Sequence, residues 1–418
     1  MIEHATPIQI RTQCIHDDVD ASFGHNGREN KILRYKGDLY SFGTVPRRFP
    51  HTDDKEAYDR MVHTFPNGLL VFRRGADGDW SQIARTETPW AQSALVGPDG
   101  TFWMDATNDW DNFVLSRTRT PEDFHSFELA YERPGTSVYG GVSISPEGNV
   151  HALHAGSNNH HAGAATVMHS AFYDAATATW HRQEFDTPEG RNGYSRMLVN
   201  GSAVIGACQC AMYEPTSHHA VSSPEGALHP TWRYIRLFAC EDLTSQPLHV
   251  VRWLTPPFGH ASLSDLFRAP DGQTYLAYEY VGAETYEASN RPVTMHLARL
   301  NAELTPEVFD LGIPNTFRTC PHFDAEGRWY VSYLDHSVNR SFLVRLDPND
   351  GFRPTDRYLL DDGGRQLSVM FVLRPEQFGG EGRRLDEPVG FISSGHRAQG
   401  DGLMAFAEMW YGEFDLPA

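Results

Sequence analysis

Apolar residues along this chain recur in short paired runs, each pair joined by a tight polar turn that carries a glycine. The pairs read ILRYKGDLYSFG from Ile32, SALVGPDGTFWMDA from Ser93, GVSISPEGNVHALH from Gly141, MLVNGSAVIGACQC from Met197, DLFRAPDGQTYLAYEY from Asp265 and HFDAEGRWYVSYLDH from His322. A degraded seventh runs from Val369 through Phe391. The runs favour Val, Ile, Tyr, Phe and Trp, residues that suit pleated, half-buried strands. The turns (PDG at Pro98 and Pro270, PEG at Pro146, AEG at Ala325) supply the positive-φ residue that a tight hairpin needs. Outer strands are predicted over TVMHSAFY, WRYIRLFAC, TMHLARL and SFLVRLD, and GLMAFAEMWYGEF is expected to complete the last unit.

The copies start roughly 50 to 70 residues apart, near the blade period of propeller folds. A strand-turn-strand unit repeated about seven times, with almost no helical period between copies, predicts an all-β protein. The expected architecture is a seven-bladed β-propeller of four-stranded antiparallel blades. A pair of β-sandwiches is the competing architecture, but the even spacing leaves no compositional break for a linker. The chain is therefore expected to form one domain over residues 1–418.

This architecture has a polarity that sequence position can use. The first strand of each blade begins at one face of the disc, the hairpin turn lies at the other, and the second strand returns. Residues just before first strands and just after second strands thus converge on one mouth of the central channel. His25, Asn26, Tyr139, Tyr194, Arg196, His260, Arg318 and Arg365 fall in the first group; Arg47, Arg48, Asp105, Asn108, His154, Gln209, Glu279, His336 and His396 fall in the second. The opposite mouth collects mostly Pro, Asp, Gly, Glu and Lys. Convergent titratable groups mark the first mouth as the candidate site. His160 and His161 lie in a loop over it, and His151 and His154, three apart on one strand, are expected on opposite faces.

Charge narrows the partners. With 54 Asp plus Glu against 35 Lys plus Arg, the net charge is −19, which argues against nucleic acid or an anionic membrane surface as partner. A local Arg/His cluster can still receive an anionic substrate. No apolar run is long enough to span a bilayer, and MIEHATPIQIRTQ lacks the order of a secretory signal. The chain is expected to be cytoplasmic, or secreted if a signal has been removed. Five cysteines do not suggest a disulfide framework; Cys208, Cys210 and Cys240 are more simply small apolar fillers than zinc ligands. The sequence demands no cofactor. A divalent metal ion is the one open cofactor, because His25, His154, His260, His336 and His396 can converge on one ion.

Two stretches carry a family resemblance. GVSISPEGNVHALHAG followed by VMHSAFYD, and GYSRMLVNGSAVIGACQC followed by WRYIRLF, resemble the seven-bladed propeller polysaccharide lyases of the ulvan lyase type, within the wider BNR-repeat-like propellers. The ending AFAEMWYGEF is similar to the closing strand of that family. The resemblance covers roughly residues 137 to 240. It implies that His154 matches the family's second catalytic-site histidine and Tyr194 its tyrosine. Tyr139 stands where the family has a histidine, and Gln209 and Cys210 where it has an arginine; Arg196, or His260 and Arg318 from later blades, would supply the missing cation.

The chemistry so implied is β-elimination on a uronic-acid-containing oligosaccharide or polysaccharide. A cation must neutralise the carboxylate while one group removes the C5 proton and another protonates O4. His154, Tyr194 and Arg196 are the expected catalytic set. His25, Asn26, Tyr139, Gln209, His260, Arg318, His336 and His396 are the expected substrate-binding set. Two alternatives stand beside it: a glycoside hydrolase using Asp105, Glu279 and Asp265, and a non-catalytic glycan-binding propeller. A sialidase-like site lacks its Asp-box; the nearest string is GADGDW at Gly75.

Overall fold

The alternating apolar pattern resolves into seven β-sheets arranged as the blades of a propeller. The computed structural model describes residues 5–17, 30–44, 68–86, 90–107, 112–134, 140–155, 166–187, 191–212, 221–222, 228–229, 231–254, 258–283, 292–301, 303–365, 367, 369, 371–374, 381–398 and 404–417. Counting outward from the channel, blade I is Ile32–Tyr35, Asp38–Thr44, Leu69–Arg74 and Trp80–Thr86. Blade II is Trp90–Val96, Phe102–Thr107, Asn112–Thr118 and Phe127–Pro134; blade III is Gly141–Ile144, Val150–Ala155, Thr166–Asp174 and Thr179–Thr187. Blade IV is Arg191–Asn200, Ala203–Met212, Thr231–Cys240 and His249–Leu254; blade V is Phe258–Arg268, Thr274–Ala283, Thr294–Leu300 and Glu307–Pro314. Blade VI is Thr316–Phe323, Trp329–Asp335, Arg340–Asp347 and Arg353–Asp361; blade VII is built on Phe371–Val372, Val389–Ala398 and Met404–Phe414. Among the described residues the sole helical turn is a 3-10 turn at Pro348–Asp350, and no helix is long and apolar enough to cross a membrane.

The glycine turns behave as their sequence demands. Gly100, Gly148, Gly272 and Gly327 all have φ between 72° and 94°. Each turn closes with the same pair of backbone bonds; in blade V, Ala269 N–H donates to Gln273 O and Gly272 N–H to Ala269 O, both at 2.9 Å. The aspartate of PDG adds its side chain, Asp271 Oδ1 accepting from Gln273 N–H at 2.9 Å and Asp99 Oδ1 from Thr101 N–H at 3.0 Å.

Because side chains alternate along a strand, each sheet offers one set of residues to the blade before it and the next set to the blade after it. Ile32 packs towards blade VII and its neighbour Leu33 towards blade II. The buried apolar residues accordingly fall into seven clusters, one per seam. The richest in aromatics lies between blades V and VI, where Trp329 meets Tyr275, Phe323 and Phe352 edge-on at 4.7–4.9 Å.

Ring closure departs from the sequence expectation. The run Met404–Phe414 is the third strand of blade VII, and the outermost strand comes from Arg11–His16 at the other end of the chain. Just before it, Thr6–Gln9 adds a fifth strand to blade VI, parallel to Arg353–Asp361. The strands at 166–174, 231–240, 294–300 and 340–347 are likewise third strands, with a further strand outside each. Ile10, 3% exposed, sits where the chain passes from one sheet to the next and packs in the seam between blades VI and VII. Its N–H donates to Asp361 O at 2.8 Å. Arg11 then reaches Glu413 at 3.0 Å and Asp415 at 2.6 Å, but its side chain is 48% exposed. Packing at Ile10 should therefore outweigh the ion pairs. Ile10→Ala is expected to lower unfolding free energy by about 2–5 kcal/mol in urea titrations, and Arg11→Ala by no more than about 1 kcal/mol.

Candidate functional site

The first hairpin of a blade is regular in sequence but not in register. In blades II, IV, V and VI the inner strand carries one residue more than its partner. The extra length falls at Gln92, at Tyr194–Ser195, at Ser264 and at Arg318–Thr319, between the ladder pairs that flank them. Such bulges bend the strand and re-aim side chains. They lie beyond the ladder pairs nearest the glycine turns, towards the candidate mouth.

The blade IV bulge presses on blade III. A Cβ on Gly141 would lie 2.2 Å from Ser195 O and 2.8 Å from Ser195 C, so only glycine permits this approach. The neighbouring Gly140 backs onto His154, whose Cβ would be 3.0 Å from a Cβ there. His154 and the Tyr194–Ser195 bulge are thus brought to the two sides of one Gly-Gly pair.

His154 is fully buried. Its ring stacks on Phe113 at 4.4 Å and 13°, and faces His169 at 5.3 Å. Nε2 lies 3.2 Å from the Tyr131 hydroxyl, and Nδ1 has no hydrogen-bond partner among the described residues. Burial, reinforced by His169 and Arg133, holds its pKa well below the usual imidazole range, so the ring is neutral. His151 points to the other face, as expected, and pairs with Ser170 Oγ at 2.8 Å. His169 meets Glu184 at 3.2 Å, and Glu184 in turn meets Arg133 at 2.6 Å.

Arg196 follows the bulge and is 7% exposed. It shares the surroundings of the buried Cys320 thiol with Asp265 and Glu279 from blade V and the half-buried Arg374 from blade VII. All four act on the buried Cys320 thiol, whose pKa is pushed up to about 12, chiefly by burial. Asp265 and Arg374 form an ion pair at 2.5 Å that spans from blade V to blade VII. Glu279 Oε1 accepts from the hydroxyls of Ser264 and Thr319, the latter at 3.0 Å. Gln209, 1% exposed, does the same one blade earlier, its Oε1 accepting from Leu263 N–H at 3.0 Å. Asp105 Oδ1 accepts from Ser93 N–H. The three carboxylates that sequence reasoning put forward for hydrolysis are thus buried between inner strands and engaged there.

The remaining expected residues are scattered around the ring. Arg318 lies half-buried in the blade VI bulge and His336 is exposed at the end of that blade's second strand. Tyr194, His260 and His396 are on strands, but their side chains lie outside the described residues, as does that of Cys210. His25, Asn26, Arg47, Arg48, Asn108, Tyr139, His160 and His161 also lie outside them. Among the described residues no group of three His, Cys, Asp or Glu is placed to hold a metal ion. Sequence reasoning missed Gly140, Gly141, Phe317 and Arg374; the Gly-Gly pair at the head of a strand was the signal available for the first two.

Fold and site together define a seven-bladed propeller with a crowded, charged axis. No family model matches the chain, and no curated protein matches it. Solved structures do. The polysaccharide lyase Uly1 superposes with a TM-score of 0.56 at 11% identity, over 97% of this chain and 98% of that one. An ulvan lyase of family PL25 bound to -[GlcA(1-4)Rha3S]- gives 0.53 at 10% identity, over 92% and 90%. A second structure of a PL25 ulvan lyase gives 0.51 at 11% identity, over 96% and 93%. The chain shares the propeller fold of these lyases along nearly its whole length.

Two outcomes follow from the buried charges. Arg374→Ala leaves Asp265 buried without its cation and should cost about 3–5 kcal/mol, while Asp265→Ala in that background should recover part of the loss; urea denaturation of the three variants checks this. His151, with a pKa near 3, His154 and His322 are all held neutral by burial. The unfolded chain binds their protons below about pH 6.5, so stability is complete above that value and falls as the pH is lowered. The three together give a slope of up to about 4 kcal/mol per pH unit, measurable as the pH dependence of the denaturation midpoint.

Proposed function

We propose that this propeller is a lyase that cleaves a uronic-acid-containing oligosaccharide or polysaccharide by β-elimination at the mouth where the inner-strand bulges lie. The observation that carries the reading is the Gly140–Gly141 contact, which sets His154 on one side and the Tyr194 bulge on the other. Elimination needs a proton carrier close to C5 and O4 and a cation at the carboxylate. In this reading Tyr194, released from the ladder, carries the proton at the sugar. His154, neutral and braced by Phe113 and Tyr131, is the second group of the pair. A buried neutral imidazole keeps hydrogen-bonding capacity without adding a charge that would compete for the substrate carboxylate.

The shared fold with the PL25 ulvan lyases, one of them bound to a GlcA-containing chain, supports the same substrate class. Hydrolysis through two carboxylates flanking the bond fits less well, because Asp105, Asp265 and Glu279 are tied to neighbouring strands.

The test is a panel of uronate oligosaccharides followed for far-ultraviolet absorbance of the unsaturated product alongside new reducing ends. Both signals should rise together, and Tyr194→Phe should lower kcat by about 10²- to 10⁴-fold without moving the denaturation midpoint. Reducing ends without absorbance would overturn elimination, and a fully active Tyr194→Phe would overturn the site.

A further inference from the structure

Arg318 is the one non-glycine residue, among those described, that takes a positive φ inside a strand, at 57°. The left-handed region is unfavourable for an arginine, and its short side chain-backbone remedies are those of Asn and Asp. Ser264 forms the corresponding bulge in blade V without a positive φ, so the ladder irregularity alone does not impose the conformation. Strain kept in one place by the surrounding structure directs attention to what the residue does there.

The surroundings of Arg318 answer that. Its guanidinium carbon lies 5.0 Å over the Phe317 ring centre. The His336 imidazole packs on the same ring, with centroids 4.7 Å apart and planes at 37°. His336 N–H donates to Asn315 O at 3.0 Å, which pins the turn after the second strand to the start of the inner strand. One phenyl ring thus gathers a guanidinium and an imidazole at the candidate mouth, on residues that are half-buried or exposed. Arg196, by contrast, is buried and shares the surroundings of Cys320 with Asp265, Glu279 and Arg374.

We infer that blade VI carries the subsite for the carboxylate-bearing ring of an acidic sugar, with Arg318 binding the carboxylate, His336 hydrogen-bonding a ring hydroxyl and Phe317 positioning both. This rests on the lyase reading for the substrate class and assigns the cation to Arg318 rather than Arg196. A guanidinium offers a planar fork of donors that matches a carboxylate, and stacking on an aromatic ring preorganises it.

The test is calorimetric binding of an oligosaccharide of alternating glucuronate and neutral sugar, compared with the same oligosaccharide after reduction of its carboxyls. The wild type should prefer the charged form by about tenfold or more, the scale of a charge-assisted hydrogen-bonded contact. Arg318→Ala should erase the preference and leave affinity for the reduced form unchanged, and Phe317→Leu should weaken the preference several-fold. Arg318→Gly should raise the denaturation midpoint by relieving the strain while abolishing the preference, an outcome that a merely structural arginine does not produce. A preference retained in Arg318→Ala, or lost only in Arg196→Ala, overturns the assignment even if the protein proves to be a lyase. A preference lost in Arg318→Ala without any elimination product establishes the subsite and overturns the lyase chemistry. A wild type that does not distinguish the two forms overturns the subsite itself.

Discussion

Crowding at the axis governs this molecule. Seven inner strands converge on one channel, and backbone must approach backbone more closely there than at any seam further out. At the blade III–IV seam the approach leaves no room for a Cβ on Gly141. Elsewhere the inner strands meet through serine, threonine and a few deliberately paired polar groups, and Gln209 and Glu279 reach across from equivalent positions to cap the next blade's bulge. Four of the same inner strands carry bulges, and an extra residue bends a strand and re-aims its side chains. Two of these bulges free Tyr194 and Arg318 from the ladder, so the crowding and the candidate chemistry lie on the same strands.

Desolvation is the cost of that arrangement. Charged groups drawn into the axis must find each other, and Asp265 does so with Arg374 across an intervening blade. Imidazoles, which can lose their charge, take the other route and stay neutral, as His151, His154 and His322 do. A chain of net charge −19 thus holds buried carboxylates and arginines beside neutral histidines in its interior.

Much of the architecture was legible because it rests on local physics. Period-two alternation marks strands, and glycine at a positive-φ turn marks the hairpin; both are decided within a few residues, and PDG at Pro98 and Pro270 folds as its composition requires. The outermost strand of blade VII was not legible, since RTQCIH carries no sign of a partner some four hundred residues away. The bulges escaped for a different reason. An added residue in a strand changes facing without changing composition; the polarity rule put Arg318 before the first strand of its blade, whereas it lies inside Thr316–Phe323, and the rule could not say that it takes a positive φ or that its guanidinium lies over Phe317. The same rule placed Arg196 and Gln209 at the mouth, whereas one residue of slippage decides between mouth and axis, and both are buried between blades.

The joint between the two ends of the chain has a consequence for how the protein is made. Gln9 bonds to Asp361, 352 positions later, and Arg11–His16 pairs with Met404–Phe414. During synthesis these two strands leave the ribosome before their partners in blades VI and VII, so they stay unpaired until those blades are made. Every other blade can assemble from neighbours that emerge in turn. The ring therefore stays open until both of those blades have been made, and its closure is the last step of assembly.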